Sequence, residues 1–375
     1  MKGKLTKQKK VDSIFGGLIN QLIISIKFFG KREIEKHPKK ILFIKTEAVG
    51  DSILCMPMIK KVKEKTHAKI YVLCSSANSF VFEKQNFIDE IILVDSKKFD
   101  SVQMYKIIKR LRREKIDIAI DTGQSSNISA ILSYLTSKSS IGFKKLKGTS
   151  RNKVYDYSVD LNTNKHMVKC YFDLIRPLGI EEPKEIKLEK VHGVKNKKIL
   201  QIISSKKNLV GIHASNILEY KVWPRERFVK IIEFLIKDKN KTIVLVGSSD
   251  EKEDDQKIIN SVEKNLRNKI IDLSGRVNFP ELAEIMKRFQ IFIANDGGPM
   301  HIAASENVPT IGLFGHETPV RYAPYNKKSV GLFKTVKCNP CNKAYKNQWP
   351  KCFNPKCVMS ISVEDVKRAI EKLDK

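Results

Sequence analysis

Short apolar runs alternate with amphipathic stretches along most of this chain, in two separate series. The runs that read as buried strands are KILFIK (40–45), AKIYVLCS (68–75), IDEIILVD (88–95), IDIAID (116–121), LVGIHAS (209–215), TIVLVGS (242–248), KIIDLSG (269–275), IFIAN (291–295) and TIGLFG (310–315). Helical patterns follow most of them. This alternation predicts parallel sheets covered by helices on both faces, which is the α/β class. One helical pattern, DSILCMPMIKKVKEK (51–65), contains Pro57, which predicts a break there.

A polar, lysine-rich stretch at 181–207 separates the two series. At 375 residues the chain is long enough for two domains of ordinary size. We therefore predict a basic amphipathic N-terminal segment (1–39), an N-terminal domain (40–190) and a C-terminal domain (191–375). Each domain is expected to be doubly wound, with ligands at the carboxyl ends of its strands.

The chain carries 71 Lys and Arg against 41 Asp and Glu, a formal net charge of +30. This excess favours an anionic partner such as nucleic acid, a membrane surface or a phosphorylated substrate. A coding bias toward lysine and isoleucine is the other explanation. Aromatic residues are only 8% and scattered, whereas single-strand binders interleave them with basic residues. Without an RNP pattern or finger spacing, we predict no nucleic-acid partner.

Residues 13–29, SIFGGLINQLIISIKFF, place a wide apolar face on one side of a helix, with Asn20 and Lys27 on the other side. Residues 1–40 hold 11 Lys and Arg but only 3 Asp and Glu. The segment is too short to span a bilayer, but a basic amphipathic helix suits an anionic membrane surface. The alternative is a helix that packs on the protein itself.

Polar residues follow several of the predicted strands. Asp51, in KTEAVGDS, is either the N-cap of the next helix or a general base beside a crevice. Lys221 precedes a helix and can pair with phosphate oxygens, or it is a solvated lysine. Glu251 follows TIVLVGS, where an acid can accept hydrogen bonds from ribose hydroxyls or favour the helix start.

The strongest single pattern is NDGGPMHIAAS at 295–305. Gly297 and Gly298 let a backbone approach a ligand closely, and Pro299 suits the first helical position. The start of that helix offers free N–H groups and a partial positive charge to a diphosphate. His301, in the first turn, can donate to a phosphate or sugar oxygen; a packed structural role is the alternative.

Neither GxxxxGK[ST] nor GxGxxG occurs, so the common ATPase and dinucleotide fingerprints are missing. Five segments instead resemble, in order, glycosyltransferase family 9, the ADP-heptose:lipopolysaccharide heptosyltransferase family. They are KTEAVGDSILCMPMIKKVK, GIHASNILEYKVWPRERF, LVGSSDEKE, DLSGRVNFPELAEIM and NDGGPMHIAASENVPTIGLFGHETP. The resemblance covers residues 40–372.

This resemblance implies an inverting, metal-independent glycosyltransferase with the GT-B fold, in which two Rossmann-like doubly wound domains face an interdomain crevice. The N-terminal domain would bind the acceptor, which is lipopolysaccharide core or another lipid-linked glycan. The C-terminal domain would bind a nucleotide-diphosphate sugar, by family default ADP-heptose, and no catalytic cofactor is implied. Together with the basic N-terminus, these features place the enzyme in the cytoplasm, peripheral on the inner membrane.

The resemblance also implies individual roles. Asp51 would be the general base, which contributes about 10²–10⁴-fold to such a reaction. Gln124, in DTGQSSNISA, lies in the acceptor-binding segment. Lys221 would neutralise the leaving diphosphate, and Glu251 would hold the ribose. The turn at 296–301 would hold the phosphates and sugar of the donor, with Asp296 on sugar hydroxyls.

Two positions depart from the family pattern. Gly297 stands where many relatives carry Ser or Thr, so backbone would replace a hydroxyl contact to the donor. Asn216 and Ile217 replace hydroxyl-bearing residues of some members, which leaves Ser215 as the nearest match. Both departures bear on which sugar or base the donor carries.

Four of the seven cysteines form a C-x2-C-x10-C-x4-C cluster: Cys338, Cys341, Cys352 and Cys357. The odd total and the lack of a signal-peptide pattern argue against a secreted disulfide framework. The cluster resembles a tail found in part of the family, and its spacing suits structural Zn²⁺. Free or redox thiols and disulfides are the alternatives. We expect the cluster to lie too far from the site to be catalytic.

Two other functions compete with glycosyl transfer. A non-catalytic sugar-nucleotide sensor would have the same fold, but it would not need the acid at Asp51. A nucleic-acid binder would explain the charge, but the scattered aromatic residues argue against it.

Overall fold

A computed structural model of the chain describes residues 20, 21, 23–25, 32–95, 101–124, 126–144, 150–339, 341 and 352–374. The chain divides into two compact units within the polar stretch at 181–207, between Ile186 and Lys187. Each unit contains a six-stranded parallel sheet. Within the described ranges, no helix is both long and apolar enough to cross a membrane.

The sheet of the first unit has the strand order β3-β2-β1-β4-β5-β6. Its strands are β1 (Lys40–Lys45), β2 (Lys69–Ser75), β3 (Glu90–Val94), β4 (Ile116–Asp121), β5 (Ser137–Lys144) and β6 (Tyr157–Asp160). β1 and β4 are buried almost throughout, as central strands of a parallel sheet are. The chain order reverses between these two strands, and ligands of such sheets bind outside the carboxyl ends at that reversal.

Helices connect the strands of the first unit. They are α1 (Val49–Thr66), α2 (Ser79–Phe82), α3 (Ser101–Glu114), α4 (Asn127–Thr136), α5 (Arg151–Val154) and α6 (Met167–Asp173), followed by a 3₁₀ turn at Arg176–Leu178. α1 is continuous through Pro57, so the predicted break is wrong. Every residue from Ser52 to Ile59 is buried, and that burial outweighs the roughly 3 kcal/mol that an interior proline costs.

Residues 20, 21 and 23–25 are helical and pack on the first unit. Ile23 lies in a buried cluster with side chains of α4 and α5. Asn20 is also buried, and its amide donates to Asn127 Oδ1 (3.2 Å) and Ser150 Oγ (3.3 Å). The expectation that Asn20 lies on the polar outer face is therefore wrong, because the protein itself covers that face. The remaining apolar positions predicted for 13–29 lie outside the described residues.

The sheet of the second unit has the order β12-β11-β10-β7-β8-β9, which repeats the topology of the first. Its strands are β7 (Leu209–His213), β8 (Thr242–Leu245), β9 (Ile270–Asp272), β10 (Ile291–Asn295), β11 (Thr310–Leu313) and β12 (Val330–Leu332). The chain order reverses between β7 and β10, which pair in parallel from Ile291 opposite Val210 to Ala294 opposite His213. A ligand site is expected outside the carboxyl ends of these two strands.

The helices of the second unit are α7 (Lys197–Ser204), α8 (Arg225–Lys237), α9 (Lys252–Ser261), α10 (Phe279–Met286), α11 (Gly298–Ser305), α12 (Pro319–Tyr322), α13 (Lys356–Met359) and α14 (Val363–Leu373). Three 3₁₀ turns accompany them, at Glu219–Lys221, Ser249–Glu251 and Lys264–Lys269. The fully buried Trp223 joins several of these elements. Its indole donates to the Ile361 carbonyl (2.8 Å), and its backbone N–H donates to Asn295 Oδ1 (3.0 Å). These bonds fix the segment before α8 against the end of β10.

Candidate functional site

A cavity of about 370 Å³ opens at the carboxyl ends of β7, β8 and β10 in the second unit. Apolar side chains contribute much of its lining: Ile217, Val246, Val277, Phe279 and Leu282. Charged and polar side chains contribute the rest, among them His213, Asn216, Lys221, Glu251 and Asp296. Ligand pockets commonly combine an apolar lining with a few placed polar groups in this way.

Lys221 and Asp296 form an ion pair at this cavity, with Nζ 2.9 Å from Oδ2. Burial by itself favours the protonated form of Asp296, but the Lys221 ammonium, by its charge and its hydrogen bond, outweighs burial and holds the pKa of Asp296 below its ordinary value. Asp296 is therefore an anion that holds the lysine in place. Burial, with a smaller contribution from Lys221, lowers the pKa of His316 to about 4, so its imidazole is neutral at neutral pH.

The first turn of α11 forms part of the cavity wall, through Gly297, Gly298 and Pro299. Its free N–H groups are available there to an anion. Gly297 is extended (φ −176°, ψ 178°), a conformation that any residue adopts. A Cβ at this position would have Asn216 Nδ2 as its nearest neighbour, at 3.5 Å. The backbone at Gly297 therefore does not require glycine.

His301 lies further along α11 and is buried. Its ring meets the Tyr322 ring edge-on, with centroids 6.5 Å apart, and it is not among the residues that line the cavity. Its contact with the donor stays a prediction.

Glu251 lines the cavity at the end of β8 and is held on both oxygens. Oε2 accepts from the Ser248 N–H (2.7 Å) and hydroxyl (2.9 Å), which closes a capping box. Oε1 lies 3.5 Å from His213 Nε2. Burial alone would raise the pKa of Glu251, but His213 and the Ser248 donors hold it at about 2. The site thus keeps an ionised acceptor at this position.

Ser215 is buried and is not among the residues that line the cavity. Its hydroxyl donates to Asp255 Oδ1 (2.8 Å), while Ser274 donates to Oδ2 (2.6 Å). Burial raises the pKa of Asp255 in spite of these two donors. The Ser215 hydroxyl thus donates its proton to a carboxylate of the protein. The predicted contact of Ser215 with the sugar-nucleotide donor stays a prediction. The sequence reasoning missed both Asp255 and His213.

Asp51 lies in the first turn of α1, in the first unit, and is half-buried. The N-cap of this helix is Ala48, three residues before Asp51, and it has φ 59° and ψ 108°. A positive φ is strained for a residue with a side chain, and such strain concentrates at functional sites. Asp51 Oδ1 accepts a hydrogen bond from the Tyr171 hydroxyl (3.0 Å). Sequence reasoning did not find Tyr171, which lies 120 residues away.

Gln124 follows β4, whose last residue, Asp121, is fully buried. Asp121 Oδ2 accepts from the Ser129 hydroxyl (2.6 Å) and the Tyr155 hydroxyl (2.6 Å), and it pairs with Arg151 (3.1 Å). This network holds the start of the loop, and Gln124 Nε2 contacts Met167 Sδ at 3.8 Å. Acceptor binding by Gln124 stays a prediction.

All four clustered cysteines are free thiols. Burial, together with the neighbouring thiols Cys341, Cys338 and Cys352, raises the pKa of Cys357. Within the described part of the chain, no three His, Cys, Asp or Glu side chains are placed to hold a metal ion. The donor set therefore does not fit a metal as placed, and zinc at these thiols stays a prediction.

The N-terminal part of this cluster packs on the segment that follows β11, and its distance from the chemistry stays a prediction. The backbone N–H of Cys341 donates to the His316 carbonyl (2.8 Å), and the His316 ring meets the ring of Tyr220, the residue before Lys221, with centroids 5.3 Å apart. Cys341 therefore lies beside the residues that follow β11. The spacing of the cysteines along the chain could not have predicted this contact.

Residues 104–350 match the sequence model of glycosyltransferase family 9 (heptosyltransferase). The chain belongs to glycosyltransferase family 9. It is 24% identical over 352 residues to lipopolysaccharide heptosyltransferase 1 of Campylobacter coli, and this alignment covers 89% of the chain and 98% of the relative. The predicted family is confirmed, and this family 9 protein is a glycosyltransferase.

Two solved structures resemble this family 9 protein. The glycosyl transferase family 9 structure from Veillonella parvula DSM 2008 has a TM-score of 0.73 at 22% identity, covering 92% of this chain and 99% of that one. E. coli ADP-heptose lps heptosyltransferase II has a TM-score of 0.71 at 19% identity, covering 89% and 98%. At these identities the likeness concerns the fold, and it confirms the predicted α/β GT-B class.

Proposed function

We propose that this family 9 enzyme transfers heptose from ADP-heptose, with inversion, to a hydroxyl of lipopolysaccharide core or another lipid-linked glycan. The observation that carries the proposal is the cavity of the second unit, where an apolar lining, an ionised acid, an ion pair and a helix start surround one space. These groups complement a nucleobase, a ribose and a diphosphate. The names of the relatives, lipopolysaccharide heptosyltransferase and ADP-heptose lps heptosyltransferase, support the choice of sugar and acceptor.

The nucleoside half of the donor occupies the apolar part of this cavity. Phe279 is 36% exposed, which leaves ring surface for a base to stack on. Val277 and Leu282 line the same space. Glu251 is ionised at neutral pH, since its pKa is held at about 2, and it accepts hydrogen bonds from the ribose hydroxyls.

The diphosphate lies against the first turn of α11 and Lys221. Free backbone N–H groups and the helix dipole favour an anion there. Lys221 adds a full positive charge, and its pairing with Asp296 fixes where that charge is held. As the bond to the sugar breaks, negative charge grows on the leaving diphosphate, and these groups stabilise it more strongly than in the bound substrate.

Asp51 acts as the general base. It takes the proton of the acceptor hydroxyl while that oxygen attacks the anomeric carbon from the face opposite the diphosphate. The bond from carbon to the diphosphate oxygen breaks in the same step, and the nucleoside diphosphate leaves with the electron pair. One displacement of this kind inverts the configuration.

A thermal-shift series with ADP-, GDP- and UDP-sugars tests the donor. ADP-heptose at 100 times its dissociation constant should stabilise the protein by about 2.7 kcal/mol. The variant Lys221→Met should lose most of that shift, whereas Lys230→Met, on the exposed side of α8, should keep it. A larger shift with a GDP- or UDP-sugar would overturn the choice of nucleotide.

Replacement of the base separates an enzyme from a sugar-nucleotide sensor. Asp51→Asn should lower turnover about 10²–10⁴-fold while keeping the thermal shift with donor, because the donor cavity belongs to the second unit. Glu64→Gln, an exposed acid on the same helix, is the matched control and should keep turnover. Full turnover in Asp51→Asn would refute the base, and a wild-type protein that binds donor without transferring it would favour the sensor.

We also propose that the enzyme works at an anionic membrane surface, where a lipid-linked acceptor resides. The net charge of +30 and the 11 Lys and Arg in residues 1–40 support this. Co-sedimentation with phosphatidylglycerol vesicles should exceed that with phosphatidylcholine vesicles, and raised salt should abolish it. Equal sedimentation with both kinds of vesicle would overturn the proposal.

A further inference from the structure

A tyrosine that the proposed reaction does not yet use lies directly against the proposed base. Tyr171, on α6, has no exposed surface, and its ring packs 6.1 Å from the Phe143 ring. α6 packs on α1, and this contact brings the Tyr171 hydroxyl to 3.0 Å from Asp51 Oδ1. The phenol must donate in this bond, because an ionised carboxylate can only accept.

The two oxygens of Asp51 therefore differ. Oδ1 accepts from Tyr171, whereas no residue in the described ranges donates a hydrogen bond to Oδ2. Asp51 is half-buried, so the residue is not enclosed in the core. Oδ2 is thus the oxygen available to take a proton from an acceptor hydroxyl.

A free aspartate rotates broadly about its last side-chain torsion, because that torsion joins an sp³ and an sp² carbon. The bond from Tyr171 removes this freedom, since the phenol is itself immobile in the core of the first unit. A displacement of about 1 Å in a catalytic group can lower a rate about 10²-fold. A rigid donor behind the base is therefore a substantial contribution to its alignment.

We propose that Tyr171 is a positioning residue for glycosyl transfer, which fixes the Asp51 carboxylate with Oδ2 directed to the acceptor hydroxyl. The inference rests on the proposed role of Asp51 as general base. In this proposal Tyr171 contributes no charge and acts through its hydrogen bond to Asp51.

Tyr171→Phe removes only the hydroxyl. We expect kcat to fall about 10- to 100-fold, with an unchanged dissociation constant for the donor, because the donor cavity is built from the second unit. The matched control is Tyr71→Phe. Tyr71 is equally buried, and its hydroxyl donates to the Glu114 carboxylate (2.6 Å). That variant should lose a similar amount of thermal stability and keep kcat.

A double-mutant cycle separates alignment of the base from a general structural role. In the Asp51→Asn background, Tyr171→Phe should change the residual rate less than about twofold, because the base that it positions is gone. A full loss in that background would show that Tyr171 acts on the fold rather than through Asp51. An unchanged kcat in the single variant, or a variant that fails to fold while Tyr71→Phe folds, would also overturn the inference. Full turnover in Asp51→Asn would instead refute the base itself.

Discussion

Glu251→Gln removes the charge of the acid at the end of β8 while keeping its size. In the folded protein, Ser248 donates twice to Oε2, at 2.7 and 2.9 Å, and His213 lies 3.5 Å from Oε1. These contacts hold the pKa of Glu251 at about 2, against an ordinary 4.5, although burial opposes ionisation. The folded protein thus prefers the ionised carboxylate more strongly than the unfolded chain does.

The size of this preference sets the expected loss. The gap between 4.5 and about 2 corresponds to about 3 kcal/mol at neutral pH, since one pKa unit equals about 1.4 kcal/mol. Because the folded-state pKa is the lower one, the contribution is complete above about pH 4.5 and is lost as the pH falls toward 2. Glu251→Gln should therefore lower the free energy of unfolding by about 3 kcal/mol at pH 7 and by roughly half as much at pH 3.

Urea unfolding at several pH values, followed by circular dichroism, measures this difference. Glu371→Gln is the control, since Glu371 is an exposed acid on α14, away from the cavity. It should unfold like the wild type at each pH. A Glu251→Gln loss that stays constant from pH 7 to pH 3 would refute the reasoning, because a change in packing alone carries no pH dependence.

Three further substitutions test the geometry of the two sites. Ala48→Gly should raise the free energy of unfolding in urea by about 1 kcal/mol, because glycine relieves the strain of φ 59°. A lower free energy of unfolding would contradict that strain. Gly297→Ser should unfold like the wild type, since the position is extended and open to a Cβ, and should tighten donor binding about fivefold by adding a hydroxyl; misfolding would contradict the open geometry. Phe279→Ala should weaken donor binding by about 1 kcal/mol in calorimetry through lost stacking, and unchanged affinity would place the base elsewhere.

Apolar periodicity predicted the central strands because these are buried on both faces. It missed β5, SKSSIGFK, because two of its five buried residues are serines, Ser139 and Ser140. Ser140 is fully buried yet satisfied, since its backbone N–H (2.9 Å) and hydroxyl (2.8 Å) both donate to Asp156. A sequence pattern that counts only apolar residues reads such a strand as a loop, because the compensating carboxylate lies elsewhere in the chain.

The candidate site was predictable where strand ends carry polar residues, and this placed Lys221, Glu251 and Asp296 around one cavity. It was not predictable where the partner arrives from a distant element. Asp255 meets Ser215 across 40 residues, and no local spacing signals such a contact. The position of Ser215 at a strand end suggested contact with a ligand. Its hydroxyl instead donates a hydrogen bond to the buried carboxylate of Asp255.

The cysteine-containing tail shows how far such distant packing reaches. Cys341 donates its backbone N–H to the His316 carbonyl, and a Cβ at Gly315 would lie only 3.1 Å from Cys357 Sγ. The His316 ring in turn meets the Tyr220 ring edge-on, with centroids 5.3 Å apart, and the next residue is Lys221. The tail, the end of β11 and the lysine proposed to face the diphosphate therefore form one packed region. We therefore expect a change of state at these thiols that moves the Cys341 backbone to reach His316 and, through the Tyr220 ring, the segment that carries Lys221.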